Sequence, residues 1–310
     1  MPGSWNPRAE AEWRLGGRYE ARVLEPSPPA LDDNRDDPTA RGVLPPGRRL
    51  VSPVSDGDIP WDRLAREEPE LADWCADRWL GAWRPLAPPP ASLVETRVAL
   101  HRLAERVVSP ARRVATGNEI SLRYTHRGFG TPFYRDDEQV RVEATELVVH
   151  EGDSERRGPL TSLRAAAELV GTLDAEGLDD EPLPIDPSAA HLLGDWFGFV
   201  TLVVAELRAR AGEGMEPATI NLWPEHFDVA TELGSEADGV RAGYGGSPGD
   251  GEHAEPYLYV APWAARPGGK LWNARAFPGA ELSYSELLAA PNQVAAGIEF
   301  LEARLRALTG

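Results

Sequence analysis

A chain of 310 residues with 42% hydrophobic content and ten tryptophans has ample material for a packed core, which excludes a wholly disordered protein. Its formal net charge of −18 repels nucleic acid and anionic membrane surfaces, so neither is expected as a partner. The lone cysteine, Cys75, excludes an intrachain disulfide and a cysteine-based zinc cage.

Residues 1–60 are rich in Pro, Asp, Arg and Gly and read as an extended arm carrying Trp5 and Trp13. Its start lacks a basic-then-apolar signal pattern. The longest apolar stretch, "DWFGFVTLVVAEL" from Asp195, is shorter than a bilayer span, and a soluble cytoplasmic protein is expected. Residues 61–310 read as one domain that opens with helices over 61–83 and 91–108. In the second of these, Leu93, Leu100, Leu103 and Val107 form an apolar stripe. Strands follow at "EISLRYTH" and "QVRVEATELVVHEG", separated by the turn-like "GFGTPF". The second run changes apolar parity midway, which predicts a hairpin about Ala144–Thr145. Helices are expected at "TSLRAAAELVG" and from Pro187 onward, the latter capped by Asp186.

A second strand group begins at Ala218 with "ATINLWPEHFDVATEL", "GVRAGYGG" and "EPYLYVAPW". A terminal helix bearing Val294, Ile298, Leu301 and Leu305 closes the chain. Short connections imply antiparallel pairing, so the class is α+β: two meander-like strand groups, each followed by a helix. The order of elements repeats, and about 91–211 and 212–310 read as two similar halves.

The chemistry concentrates in "LWPEHFDVA", residues 222–230. Read as one strand, it puts His226 and Asp228 on one face, about 6.6 Å apart, with Trp223 and Phe227 on the other. A turn centred near Glu236 would set His226 opposite Gly246 and Asp228 opposite Tyr244. A second turn would add Glu255 and Tyr257 to those rows. Glycine at 246 would then leave a bare floor between His226 and Glu255, as ligand sites use. His226, Asp228 and Glu255 are thus the candidate catalytic residues, a general base with its orienting carboxylates. Tyr244, Gly246 and Tyr257 are the candidate ligand contacts. His226, Asp228, His253 and Glu255 could alternatively hold Zn²⁺ or Fe²⁺, or the face could simply be solvated.

His101 and Glu105, four apart with Arg97 a turn earlier, read as an ion-paired helix row; His101 is also kept as a candidate ligand contact. "GYGGSPGDGE" matches no phosphate-loop or dinucleotide fingerprint, so no cofactor is assigned. Two functional readings stand: a small-molecule pocket on the second sheet, or a non-catalytic module that binds another protein or a second copy.

Five stretches together resemble a family of bacterial proteins with no assigned activity: "RYTHRGFGTPF" (123–133), "PLTSLRAAAELVG" (159–171), "LWPEHFDVA" (222–230), "GYGGSPGD" (243–250) and "EPYLYVAPW" (255–263). The resemblance covers roughly 90–310 and implies a matching order of elements. It implies no substrate, cofactor or site residue.

Overall fold

The computed structural model describes residues 86–310, except 118–121, 126, 133, 135–137, 152–153, 212 and 265–267, and the short strands at 49–51 and 58–60. The rest of the N-terminal arm, the helix expected over 61–83 and Cys75 lie outside the described residues. The two short strands, β1 (Arg49–Val51) and β2 (Asp58–Pro60), pair antiparallel.

Helix α1 (Leu93–Leu103) passes through a π-helical turn (Ala104–Val108) into α2 (Ser109–Thr116), eight residues beyond the expected end. Pro110 would break a regular helix by clashing with the carbonyl four residues back. The wider π turn just before it accommodates the ring. The expected stripe Leu93, Leu100, Leu103 and Val107 is fully in the core.

The first sheet runs β3 (Arg123–Thr125), β4 (Gly128–Gly130), β5 (Glu138–Glu143), β6 (Glu146–Glu151) and β7 (Ser154–Pro159) in simple sequential order, all antiparallel. The hairpin at Ala144–Thr145 is as expected, with Ala144 left-handed at φ 53°. "GFG", expected as a turn, is instead strand β4, and side chains at Gly128 or Gly130 would collide with β5. Strand β7 carries no apolar signal at all ("SERRGP"). Backbone pairing and the ion pairs Arg157–Glu143 and Glu155–Arg141 to β5 hold it, and charges on an edge strand discourage further pairing.

Helices α3 (Leu163–Val170) and α4 (Pro187–Ala211) follow, capped by Ser162 and Asp186. The second sheet is again sequential: β8 (Asn221–Trp223), β9 (Asp228–Leu233), β10 (Ala242–Ser247), β11 (Tyr257–Pro262) and β12 (Ala280–Ser283). The terminal helical run is two helices, α5 (Tyr284–Ala289) and α6 (Gln293–Thr309), because Pro291 ends the first and Asn292 caps the second. The fold is therefore α+β, with two antiparallel five-stranded sheets.

The sheets meet edge to edge. Leu122 and Leu222 exchange backbone hydrogen bonds of 2.9 and 2.8 Å, joining the start of β3 to β8. Helix α4 lies against both inner faces. Gly194 lets it touch the backbone of Arg127 and Gly128 in the first sheet, while Trp196 and Val200 press on Gly246 in the second. Trp196, Phe197, Phe199, Val200, Val203, Val204 and Leu207 are all 0% exposed, so the apolar surface of the helix is wide because the fold encloses most of its circumference. By length and hydropathy its Pro187–Arg208 portion could cross a bilayer, but 72% of that apolar window is buried inside the fold.

Candidate functional site

"LWPEHFDVA" is not one strand but a hairpin. Strand β8 ends at Trp223, residues 224–227 turn, and β9 starts at Asp228, which pairs with Trp223. The turn closes with the Phe227 amide donating to the Trp223 carbonyl at 2.6 Å, and Phe227 is left-handed at φ 56°. Pro224, Glu225 and His226, odd in a strand interior, are ordinary turn chemistry. Phe227 plunges inward, packing edge-on against Phe129 and Phe197 at 5.0 and 5.1 Å. His101 of α1 stacks flat on the same ring at 5.2 Å, and its Nε2 lies 2.8 Å from the Pro224 carbonyl. His101 thus anchors the turn; Glu105, at 3.9 Å, is a minor partner.

The rest of the expected register slips by three residues in both hairpins. Gly246 faces Val229 and Leu258, not His226 and Glu255; Tyr244 faces Thr231 and Val260, not Asp228 and Tyr257. The loops are longer and less symmetric than a centre near Glu236 allows, and an odd slip moves every β10 side chain to the other face. Gly246 and Tyr244 therefore face the core. A side chain at Gly246 would strike Val200 and Trp196, and Tyr244 is fully buried, its hydroxyl pushed up by that burial. Glu255 accepts from the Ser285 hydroxyl at 2.8 Å, and His226 is exposed in the turn. The expected His226–Gly246–Glu255 row does not form. Nor are His226, Asp228, His253 and Glu255 gathered around a point; among the described residues no three His, Cys, Asp or Glu side chains are placed to share a metal ion.

The same register assembles a different outer face. Trp223 stands opposite Asp228, Ala230 opposite Gly245, and Tyr259 beyond Gly245, with Ser247 and Tyr257 on the adjoining row. The Tyr259 ring reaches across Gly245, and its hydroxyl donates a short hydrogen bond to Asp228 Oδ2. Asp228 Oδ1 is buried and has no hydrogen-bond partner among the described residues, with the whole residue only 6% exposed. Burial raises the Asp228 carboxyl above the usual carboxylate range, and the Tyr259 hydroxyl and nearby His226 offset part of that. Burial and the adjacent carboxylate push the Tyr259 hydroxyl up in turn.

A loop borders this face. Asp250 accepts from the Glu252 and His253 amides, from the Tyr257 hydroxyl at 2.7 Å and from His253 Nδ1 at 3.0 Å. These donors outweigh burial and hold its carboxyl below the usual range. His253 Nε2 lies 3.3 Å from Glu281, and its ring tilts over Tyr257 at 4.3 Å. Behind the loop is Arg97. Far from lying in an exposed row, it is 6% exposed and donates to the carbonyls of Pro248, Asp250, His253 and Ala254 at 3.0–3.3 Å. Burial lowers its guanidinium pKa, with Asp250 opposing.

No family model, curated protein or solved structure matches this chain. The site's chemistry must therefore be read from its own residues. Of the expected residues, Asp228 and Tyr257 share the outer face; His253 lies beside Tyr257. Tyr259, Trp223, Asp250 and Arg97 were missed. The alternation in "YLY" placed Tyr259 with Tyr257 all along, whereas nothing in the local pattern marks Arg97 as buried.

A buried carboxyl with a raised pKa stabilises the fold only below its unfolded value, and that contribution is lost as pH rises through the folded value. Asp228→Asn cannot ionise and its amide oxygen can still accept from Tyr259. It should gain stability relative to wild type as pH rises above the ordinary carboxylate range. Denaturant unfolding of both proteins between about pH 4 and pH 8 measures the difference; a gap that stays flat or narrows with pH contradicts the assignment.

Proposed function

We propose that the outer face of the second sheet is a binding site for a small polar molecule, anchored by Asp228, in a globular cytoplasmic protein. One observation carries the reading: a carboxyl group 6% exposed has one oxygen held by Tyr259 and the other without a partner among the described residues. A buried acceptor left unmade costs about 1–3 kcal/mol, and such groups gather at functional sites. A ligand donor at Oδ1 would remove that cost. The Asp228–Tyr259 pair can also exchange a proton with whatever binds, since a carboxyl raised by burial lies closer to neutrality than an ordinary one.

The test is a thermal-shift screen of small polar molecules on wild type, Asp228→Asn and Tyr259→Phe. Stabilising compounds are expected to lose at least tenfold in affinity with Asp228→Asn. Hits indifferent to both substitutions would overturn the reading. A protein-docking role has its own observation, Trp263, half exposed at the end of β11 under the Arg241 guanidinium. Loss of self-association or of a partner in Trp263→Ala, with Asp228→Asn silent, would favour that reading instead.

A further inference from the structure

We infer that the molecule bound at Asp228 is a small organic cation whose ammonium N–H meets Asp228 Oδ1 among aromatic side chains. The inference rests on the binding-site reading above and adds the ligand's charge and class.

Three features carry it. First, Asp228 Oδ1 calls for a donor: once ionised, a carboxylate oxygen only accepts, so a ligand must bring hydrogen to it. Second, no cationic side chain among the described residues donates a hydrogen bond to it. Arg241, just before β10, is tied to Glu232 at 2.9 Å and to the Gly234 carbonyl, and His253 is held between Asp250 and Glu281. The chain's one lysine, Lys270, makes no ion pair among the described residues and lies outside this sheet. His226 acts on Asp228 only through its charge, against that of Glu225. A neutral ligand would supply the missing hydrogen bond but not the missing charge; an ammonium supplies both. Third, the surroundings suit a soft cation. Trp223 pairs with Asp228 across the hairpin, Tyr259 spans the gap left by Gly245, and Tyr257 and Phe277 flank Tyr259 at 6.3 and 6.2 Å. Aromatic faces attract ammonium groups, and the protein's net charge of −18 draws cations toward it.

The experiment titrates wild type with benzylammonium, benzyl alcohol and benzoate, three probes of one shape and different charge, with potassium chloride as the inorganic control. Benzylammonium is expected to bind at least tenfold tighter than the other two, and Asp228→Asn to remove that preference. In wild type its affinity should rise with pH as Asp228 loses its proton, the facing groups being Tyr259, Tyr257, His226 and Glu225. This pH arm needs no variant and remains decisive if Asp228→Asn fails to fold. Equal binding of benzyl alcohol, a preference that survives Asp228→Asn, a pH-independent affinity, or potassium competing at equal concentration each overturns the inference. Asp228-dependent binding of benzyl alcohol or benzoate alone would overturn the cation while leaving the site; Asp228-independent binding, or none by any probe, would remove both.

Discussion

Replacing Phe227 by alanine should destabilise the protein by about 3–5 kcal/mol, and replacing it by glycine should destabilise it less. That order inverts what side-chain size alone dictates. The ring fills a space bounded by Phe129, Phe197 and His101, so either truncation opens the same hole. The residue is also left-handed at φ 56°, a conformation that costs a residue with a Cβ about 1–2 kcal/mol. Glycine escapes that cost but gives back part of it through the greater freedom of its unfolded chain. A net advantage of glycine over alanine of roughly 0.5–1 kcal/mol remains. Urea unfolding of the two variants decides it. Alanine as stable as glycine would mean that the turn abandons its left-handed conformation once the ring is gone. Aromatic packing, in other words, holds this backbone where it is, and Asp228 is the very next residue.

The second large effect is expected at Gly249. Its φ is +101°, and a Cβ there would collide with Arg97 Nη1 while sitting 2.7 Å from the His253 carbonyl. Gly249→Ala should therefore cost about 2–4 kcal/mol, part from backbone strain and part from overpacking. Arg97→Ala removes the collision but strips four carbonyls of their donor. The double variant should be less destabilised than the sum of the singles by at least about 1 kcal/mol. Simple additivity would show that the loop slides away from Arg97 instead of resting on it. Because this loop carries Asp250, and Asp250 holds the Tyr257 hydroxyl, Gly249→Ala should also disturb the outer face.

Much of the architecture was legible in the sequence, and the exceptions have common causes. Long amphipathic helices and the Ala144–Thr145 hairpin declared themselves through periodicity and parity. Strand β7 did not, because an edge strand stapled by Arg157 and Glu143 needs no apolar residue. "GFG" misled because its glycines serve close strand passage, not turning. At the site, Asp228 was visible as an unusual residue, but its partner was not. The expected register assumed symmetric loops, and the actual ones are set by contacts from far away in sequence, notably Arg97 beneath the loop that starts at Pro248. A three-residue slip then exchanged the two faces of β10 and put Tyr259, not Tyr244, on the face of Asp228.

Helix α4 stands in the chain between the two sheets and packs on both. Each meander is built from neighbours in sequence, which favours fast local pairing; α3 covers part of the first and α6 part of the second, and this helix is the layer they share. The two halves are thus tenants of one wall. A backbone cut between 212 and 220 would give one fragment that keeps the helix and one that loses its cover over Val229 on β9 and Tyr244 on β10. The second piece should aggregate when made alone and stay soluble when co-expressed with the first. Gene duplication, fusion or circular rearrangement of such a fold would be constrained less by the outer face of its second sheet than by which part retains the helix.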